Sequence, residues 1–129
     1  KICTSCAVER ALTKDEATSI GLDPSSGEVL VQFGQGCADC RKSGYRGRSA
    51  IGELFKVTPT IRRMIHERAS DMIIKEQARK DGMLTLREAA IKKMLVGETT
   101  YEQVGEVTSD EAERAPVAPP LAEVSPRVD

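Results

Sequence analysis

Aromatic side chains are nearly missing from this 129-residue sequence, which has no Trp, two Tyr and two Phe. The stacked aromatic platform on which single-stranded nucleic-acid binders rest their bases cannot be assembled from so few. Long apolar runs are also missing. No stretch approaches the roughly 18 residues of a membrane-spanning helix, and no signal-peptide core opens the chain. Lys1-Ile2-Cys3 reads as a cut edge rather than a natural start. There is one histidine, His66, and no G-x-x-x-x-G-K-[ST] loop to cradle a phosphate chain. A lone histidine beside Arg62 and Arg63 on a helix is a surface residue before it is a base.

Charge is abundant but almost balanced, with 19 Lys+Arg against 20 Asp+Glu and a net charge of -1. The balance conceals three unlike segments. Residues 1–40 carry -3, residues 41–94 carry +8 and residues 95–129 carry -6. A basic middle segment suits phosphates, acidic lipid or an acidic partner surface, or is a set of solvated helix faces.

The last segment reads as a tail. From Thr108 on, Pro116, Pro119, Pro120 and Pro126 break any helix or central strand. Acidic charge with few large apolar groups does not offset the entropy of ordering, so 108–129 is expected to be disordered. The folded part is then 1–107, in two pieces: a cysteine module over 1–57 and a helical subdomain over 58–107.

Local chemistry sets out the elements. Thr13 and Glu16 form a capping-box pattern that predicts a short helix ending near Gly21. Glu28 to Phe33 and Ser49 to Val57 both read as strands, and are expected to pair with each other around the cysteine loop between them. Thr58 followed by Pro59 opens a helix whose Ile61, Met64 and Ile65 make an apolar stripe, expected to be core. A second helix runs from Asp71 to Asp81 and stops at Gly82. Thr85 and Glu88 open a third, with Leu86, Ala90, Ile91, Met94 and Leu95 inward, ending at Gly97. Thr100 and Gln103 open a last short one. The fold class is α+β: a small tetracysteine module with a short antiparallel strand pair, then a bundle of three to four helices and the tail.

The four cysteines fall as two identical spacings, Cys3-Thr4-Ser5-Cys6 and Cys37-Ala38-Asp39-Cys40. Each C-x-x-C turn points two sulfurs inward, and two such turns close a tetrahedral all-sulfur shell. Structural zinc is the first reading, with an iron–sulfur centre as the other metal option. Such a shell leaves no open position for water, so the metal would hydrolyse nothing. The thirty-residue spacer exceeds that of common four-cysteine fingers and is read as an inserted helix and strand. Disulfides suit a secreted chain, which nothing here suggests. A thioredoxin-like pair needs a βαβ context that neither C-x-x-C has. Arg41, Lys42, Arg46 and Arg48 follow the second pair. They either offset the thiolate charge or meet a partner or phosphate, and the sequence leaves both open.

The run Gly36-Cys37-Ala38-Asp39-Cys40-Arg41-Lys42-Ser43-Gly44-Tyr45-Arg46-Gly47-Arg48-Ser49-Ala50-Ile51-Gly52-Glu53-Leu54 resembles the pattern GCxxCxxxGYxGRxxIxEL. That is the tetracysteine region of the GspE/PilB-like ATPases of type II secretion and type IV pilus assembly. Gly82-Met83-Leu84-Thr85-Leu86 and Gly97-Glu98-Thr99-Thr100 through Val104 are similar to the same family's later motifs. Ala50, Gly52 and Gln103 depart from its usual residues, and all four cysteine positions are kept.

The resemblance implies a C-terminal piece of a hexameric, cytoplasmic ATPase, held near the inner membrane through a platform protein. ATP and Mg2+ would then bind upstream of Lys1, and this chain would have no catalytic residue of its own. Zn2+ on Cys3, Cys6, Cys37 and Cys40 would be structural, and Arg41, Lys42, Arg46 and Arg48 would contact partners. Tyr45 is expected to pack over the cysteine module between Gly44 and Gly47, and Glu53 to pair with Arg48. A competing reading is a stand-alone zinc-ribbon nucleic-acid binder using the basic middle, although the family resemblance argues that no nucleic acid is bound.

Overall fold

The computed structural model describes residues 1–25 and 27–108, as two strands and five helices among those residues. The expected disordered tail falls on 109–129, outside the described residues. Chain order is β1 (Ala7–Ala11), α1 (Lys14–Ser19), β2 (Leu30–Gly34), α2 (Pro59–His66), α3 (Asp71–Lys80), α4 (Leu86–Leu95) and α5 (Tyr101–Val107). The α+β class holds.

The helices begin where their caps stand. Thr13 and Glu16, and likewise Thr85 and Glu88, satisfy each other's backbone donors reciprocally at the starts of α1 and α4. Thr58 accepts from the Ile61 amide with Pro59 behind it at the start of α2. At α5 the box is half made. The Thr100 hydroxyl accepts from the Gln103 amide, but the Gln103 side chain turns to Glu106.

The sheet differs from expectation. β2 pairs antiparallel with β1, in a register running from Ala7 opposite Gly34 to Ala11 opposite Leu30. The second expected strand, Ser49 to Val57, forms no ladder among the described residues. β1 takes its place because Cys6 and Gln35 join its start to the end of β2, the Gln35 amide donating to the Cys6 carbonyl at 3.0 Å.

One core runs across the chain. Ala17, Ile20, Leu22 and Val31 pack with Ala90, Ile91, Met94 and Val104, so residues from both sides of position 57 share it. Leu12, Ile51, Leu95 and Tyr101 lie half-buried around it. Arg10 on β1 fastens the same faces from outside, bonding Glu16 of α1 at 2.8 Å and Glu102 of α5 at 3.0 Å. Arg87 of α4 bonds the Ser19 carbonyl and the Thr108 hydroxyl. Thr108 itself is buried, so the ordered part runs one residue past the expected boundary.

α2 and α3 pack on each other beside this core. Ile61 and Ala78 are buried, but Ile65 is 49% exposed, which corrects its expected place in the core stripe. At eight residues α2 is too short to bury more than one face, and α3 covers the Ile61 side of it. The buried Glu88 carboxylate takes the Arg79 guanidinium at 2.8 Å and joins α3 to α4. Glu53 differs from expectation too. It accepts from the Leu86 amide at 3.0 Å, taking an orphan donor at the N-terminus of α4, and forms no ion pair with Arg48.

Candidate metal centre

Two turns at one end of the strand pair carry the cysteines. The first, Cys3 to Cys6, runs directly into β1, with the Cys6 amide donating to the Cys3 carbonyl at 3.3 Å. The second follows β2, where the Lys42 amide closes on the Cys37 carbonyl at 2.8 Å and the Ser43 amide on the Cys40 carbonyl at 3.1 Å. Because Ala7 faces Gly34 at the end of the ladder, antiparallel pairing sets the two turns side by side.

The turns are compressed against each other by glycine. Gly34 and Gly44 meet backbone to backbone: a Cβ on Gly34 would lie 2.1 Å from the Gly44 carbonyl oxygen. A Cβ on Gly44 would lie 2.4 Å from the Gly34 oxygen, and Gly44 has φ +77°. Only residues without a side chain fit both the contact and the left-handed backbone.

The four sulfurs come together. Cys3 and Cys37 lie 3.9 Å apart, Cys6 and Cys40 3.9 Å, and Cys37 and Cys40 3.7 Å, with all four within 4.8 Å of one another. All four are free thiols, and Cys3 and Cys40 are buried. A tetrahedral shell with metal–sulfur bonds of about 2.3 Å has sulfur–sulfur edges of about 3.8 Å. The measured edges match, so these four residues could hold one metal ion.

Backbone amides, not basic side chains, address the sulfurs. Gly36 N–H donates to Cys6 Sγ at 3.3 Å, and Cys37 and Gly44 N–H donate to Cys40 Sγ at 3.1 and 3.3 Å. The Cys37 amide is the main reason the Cys40 thiol is lowered to about 6, whereas burial pushes the Cys6 thiol up to about 12. Arg41, Lys42, Arg46 and Arg48 are all exposed, and among the described residues none of their side chains bonds a sulfur or forms an ion pair. Arg41 and Lys42 sit at φ 53° and 67°, held there by the turn that closes over Cys37.

Tyr45 turns its hydroxyl to Thr100 at 2.9 Å, at the N-cap of α5. Sequence reasoning also missed the short pairing of the chain's first residues with this loop. Ile2 and Tyr45 form an antiparallel bridge, and the Cys3 amide donates to the Gly44 carbonyl at 2.9 Å. The closeness of Gly34 to Gly44 had only a weak sequence signal, the glycines at 34 and 36 flanking Gln35.

Fold and site together define a small α+β unit built around a tetracysteine centre shaped for a metal ion. The profile of the Type II/IV secretion system protein family matches residues 1–106, and the chain belongs to that family. It is 36% identical over 110 residues to the Type II secretion system protein E of Dickeya dadantii, covering 85% of this chain and 21% of that protein. It is 35% identical over 111 residues to the Type IV pilus assembly ATPase PilB of Pseudomonas aeruginosa, covering 85% of this chain and 19% of that one. With the PilB of Thermus thermophilus the identity is 41% over 105 residues, 81% of this chain and 12% of the relative. The chain thus spans about a fifth or less of the length of these relatives.

Proposed function

We propose that this chain is the zinc-binding C-terminal region of a hexameric secretion or pilus-assembly ATPase, with a structural and partner-docking role. What supports this reading above all is the cluster of four sulfurs at tetrahedral spacing within a chain of the Type II/IV secretion system family. Zn2+ is favoured by an all-cysteine donor set that leaves no open position. Cys3, Cys6, Cys37 and Cys40 are the proposed ligands. The sequence has no P-loop, so ATP and Mg2+ are assigned to the part of the longer protein that precedes Lys1, and residues 1–57 and 58–107 to its zinc module and helical subdomain.

The docking role falls to Arg41, Lys42, Arg46 and Arg48, because they are exposed beside the metal turn and no carboxylate among the described residues engages them. Their proposed partner is an acidic surface on an inner-membrane platform protein, reached from the cytoplasm. Among the described residues no helix is long and apolar enough to cross a membrane, so attachment through a partner is the reading offered.

Elemental analysis of the purified chain tests the metal: one zinc per chain is expected, and iron with a visible charge-transfer band would overturn zinc. Reversing Arg41, Lys42, Arg46 and Arg48 to Glu is expected to abolish co-purification of the assembled ATPase with its platform protein while leaving zinc content unchanged. Unimpaired co-purification would remove the docking role. Binding of duplex DNA that weakens steeply with salt would instead favour the nucleic-acid reading.

A further inference from the structure

The segment from Arg48 to Leu54 has the alternation of a strand but no strand beside it. Its odd residues face inward. The Ser49 hydroxyl donates to Glu98 at 2.7 Å and accepts from Lys93 at 2.7 Å, Ile51 is half-buried against the core, and Glu53 accepts from the Leu86 amide. Its even residues, Arg48, Ala50, Gly52 and Leu54, are exposed, Leu54 at 83%. Among the described residues none of those four backbone N–H groups donates a hydrogen bond. Four successive donors on one edge of an extended, apolar-containing segment form an open template for strand addition.

The pairing that would fill it has already begun. The Cys3 amide donates to the Gly44 carbonyl, Ile2 bridges Tyr45, and the Arg46 amide donates to the Lys1 carbonyl at 2.9 Å. The Lys1 ammonium reaches the Gly47 carbonyl at 3.0 Å. In an antiparallel ladder, hydrogen-bonded positions recur every second residue. Continuing from Gly44 and Arg46 gives Arg48, Ala50, Gly52 and Leu54, the four that are open.

We propose that the backbone edge of residues 48–54 is a strand-docking surface, occupied in the longer protein by the residues that lead into Lys1. That strand continues the antiparallel register set by Ile2 and Tyr45. The occupant is the protein's own upstream chain for two reasons. The established pairing runs directly into the edge, and relatives of this family are about five times the length of this chain. The cysteine turns are thereby tied to the preceding domain through a continuous ladder, rather than through a loose linker. The inference rests on the family relationship and not on the identity of the metal.

Amide hydrogen exchange compares residues 1–129 with the full-length protein. Arg48, Ala50, Gly52 and Leu54 are expected to exchange at least tenfold more slowly in the full-length protein, at a rate independent of protein concentration. Equal rates in the two proteins would overturn the proposal. Protection that appears in residues 1–129 and grows with concentration would overturn it too, by assigning the edge to a second copy. Ala50→Pro deletes one donor from the edge. It is expected to lower the melting temperature of the full-length protein more than that of residues 1–129, and an equal effect on both counts against the ladder.

Discussion

The hydroxyl of Tyr45 lies 2.9 Å from that of Thr100, so one hydrogen bond joins the loop that holds Cys40 to the first turn of α5. Thr100 is 2% exposed and already accepts from the Gln103 amide. The bond therefore links the cysteine turns to a helix cap rather than to a passing surface group. Replacing Tyr45→Phe keeps the ring and removes the bond. A net cost of about 0.5–1.5 kcal/mol is expected, which thermal melts read as a fall of several degrees. In a double-mutant cycle with Thr100→Val, a coupling of at least 0.5 kcal/mol is expected, on the order typical of contacting residues.

The contact between Gly34 and Gly44 predicts a sharp positional effect. Gly44→Ala places a methyl 2.4 Å from the Gly34 oxygen and puts a side chain at φ +77°. Left-handed backbone costs a non-glycine residue about 1–2 kcal/mol, and overpacking adds about 1–3 kcal/mol. The two cysteine turns must separate to relieve it, so loss of metal retention is expected along with lowered stability. Gly52→Ala is the control. Its added methyl meets nothing within 4 Å, and a change within about 0.5 kcal/mol is expected in this chain. Metal content and melting of the two variants, side by side, check the difference.

How much of this was legible in the sequence divides along local and non-local lines. The caps at Thr13, Thr58 and Thr85 act within three residues of themselves, and each helix starts where its cap predicts. The two C-x-x-C turns are local as well, and their spacing alone anticipated that four sulfurs meet. β1 was not legible. Ala7-Val8-Glu9-Arg10-Ala11 has one β-branched residue and two charges, and becomes a strand only because the cysteine turns deliver it to β2. Ser49 to Val57 shows the opposite case, strand propensity without a partner among the described residues. Glu53 was misread for the same reason: its partner, the Leu86 amide, lies 33 positions away and no local pattern announces it.

Two carboxylates predict how stability responds to acid. Hydrogen bonding to the Arg10 guanidinium, helped by the Thr13 amide, holds the Glu16 carboxyl down to about 2. Lys93 and the Ser49 hydroxyl hold Glu98 down to about 2 as well. A carboxyl whose folded value lies below its unfolded value stabilises the fold above the unfolded value and loses that contribution as pH falls. The window here runs from about 4.5 down to about 2. Melting temperature is expected to fall through that range, and the fall should be shallower in a Glu16→Gln, Glu98→Gln double variant. Comparing the two proteins at each pH isolates the carboxylates, because the cysteine thiols titrate in both. Identical slopes would show that these ion pairs contribute nothing to the acid response.

Metal removal should be felt well beyond the cysteine turns. The strand pair is short, and its Val31 lies in the same core as Ala90, Ile91, Met94 and Val104. If the cysteine turns lose their metal, the free energy at stake is large, since a structural zinc contributes about 10–16 kcal/mol to folding in small domains. The turns then no longer hold β1 against β2, and Val31, Ile20 and Leu22 leave the face of α4. That helix has no other large apolar cover except α5, itself seven residues long. Chelation is therefore expected to accelerate amide exchange at Ala90, Ile91, Met94 and Val104 together with the 37–45 loop. The α2–α3 hairpin, which packs its Ile61 and Ala78 outside that core, should respond less. Residue-resolved hydrogen exchange before and after chelation measures this. Exchange confined to residues 1–57, with α4 and α5 unchanged, would mean that the helices stand without the metal module and that the shared core is a contact between two independent folds.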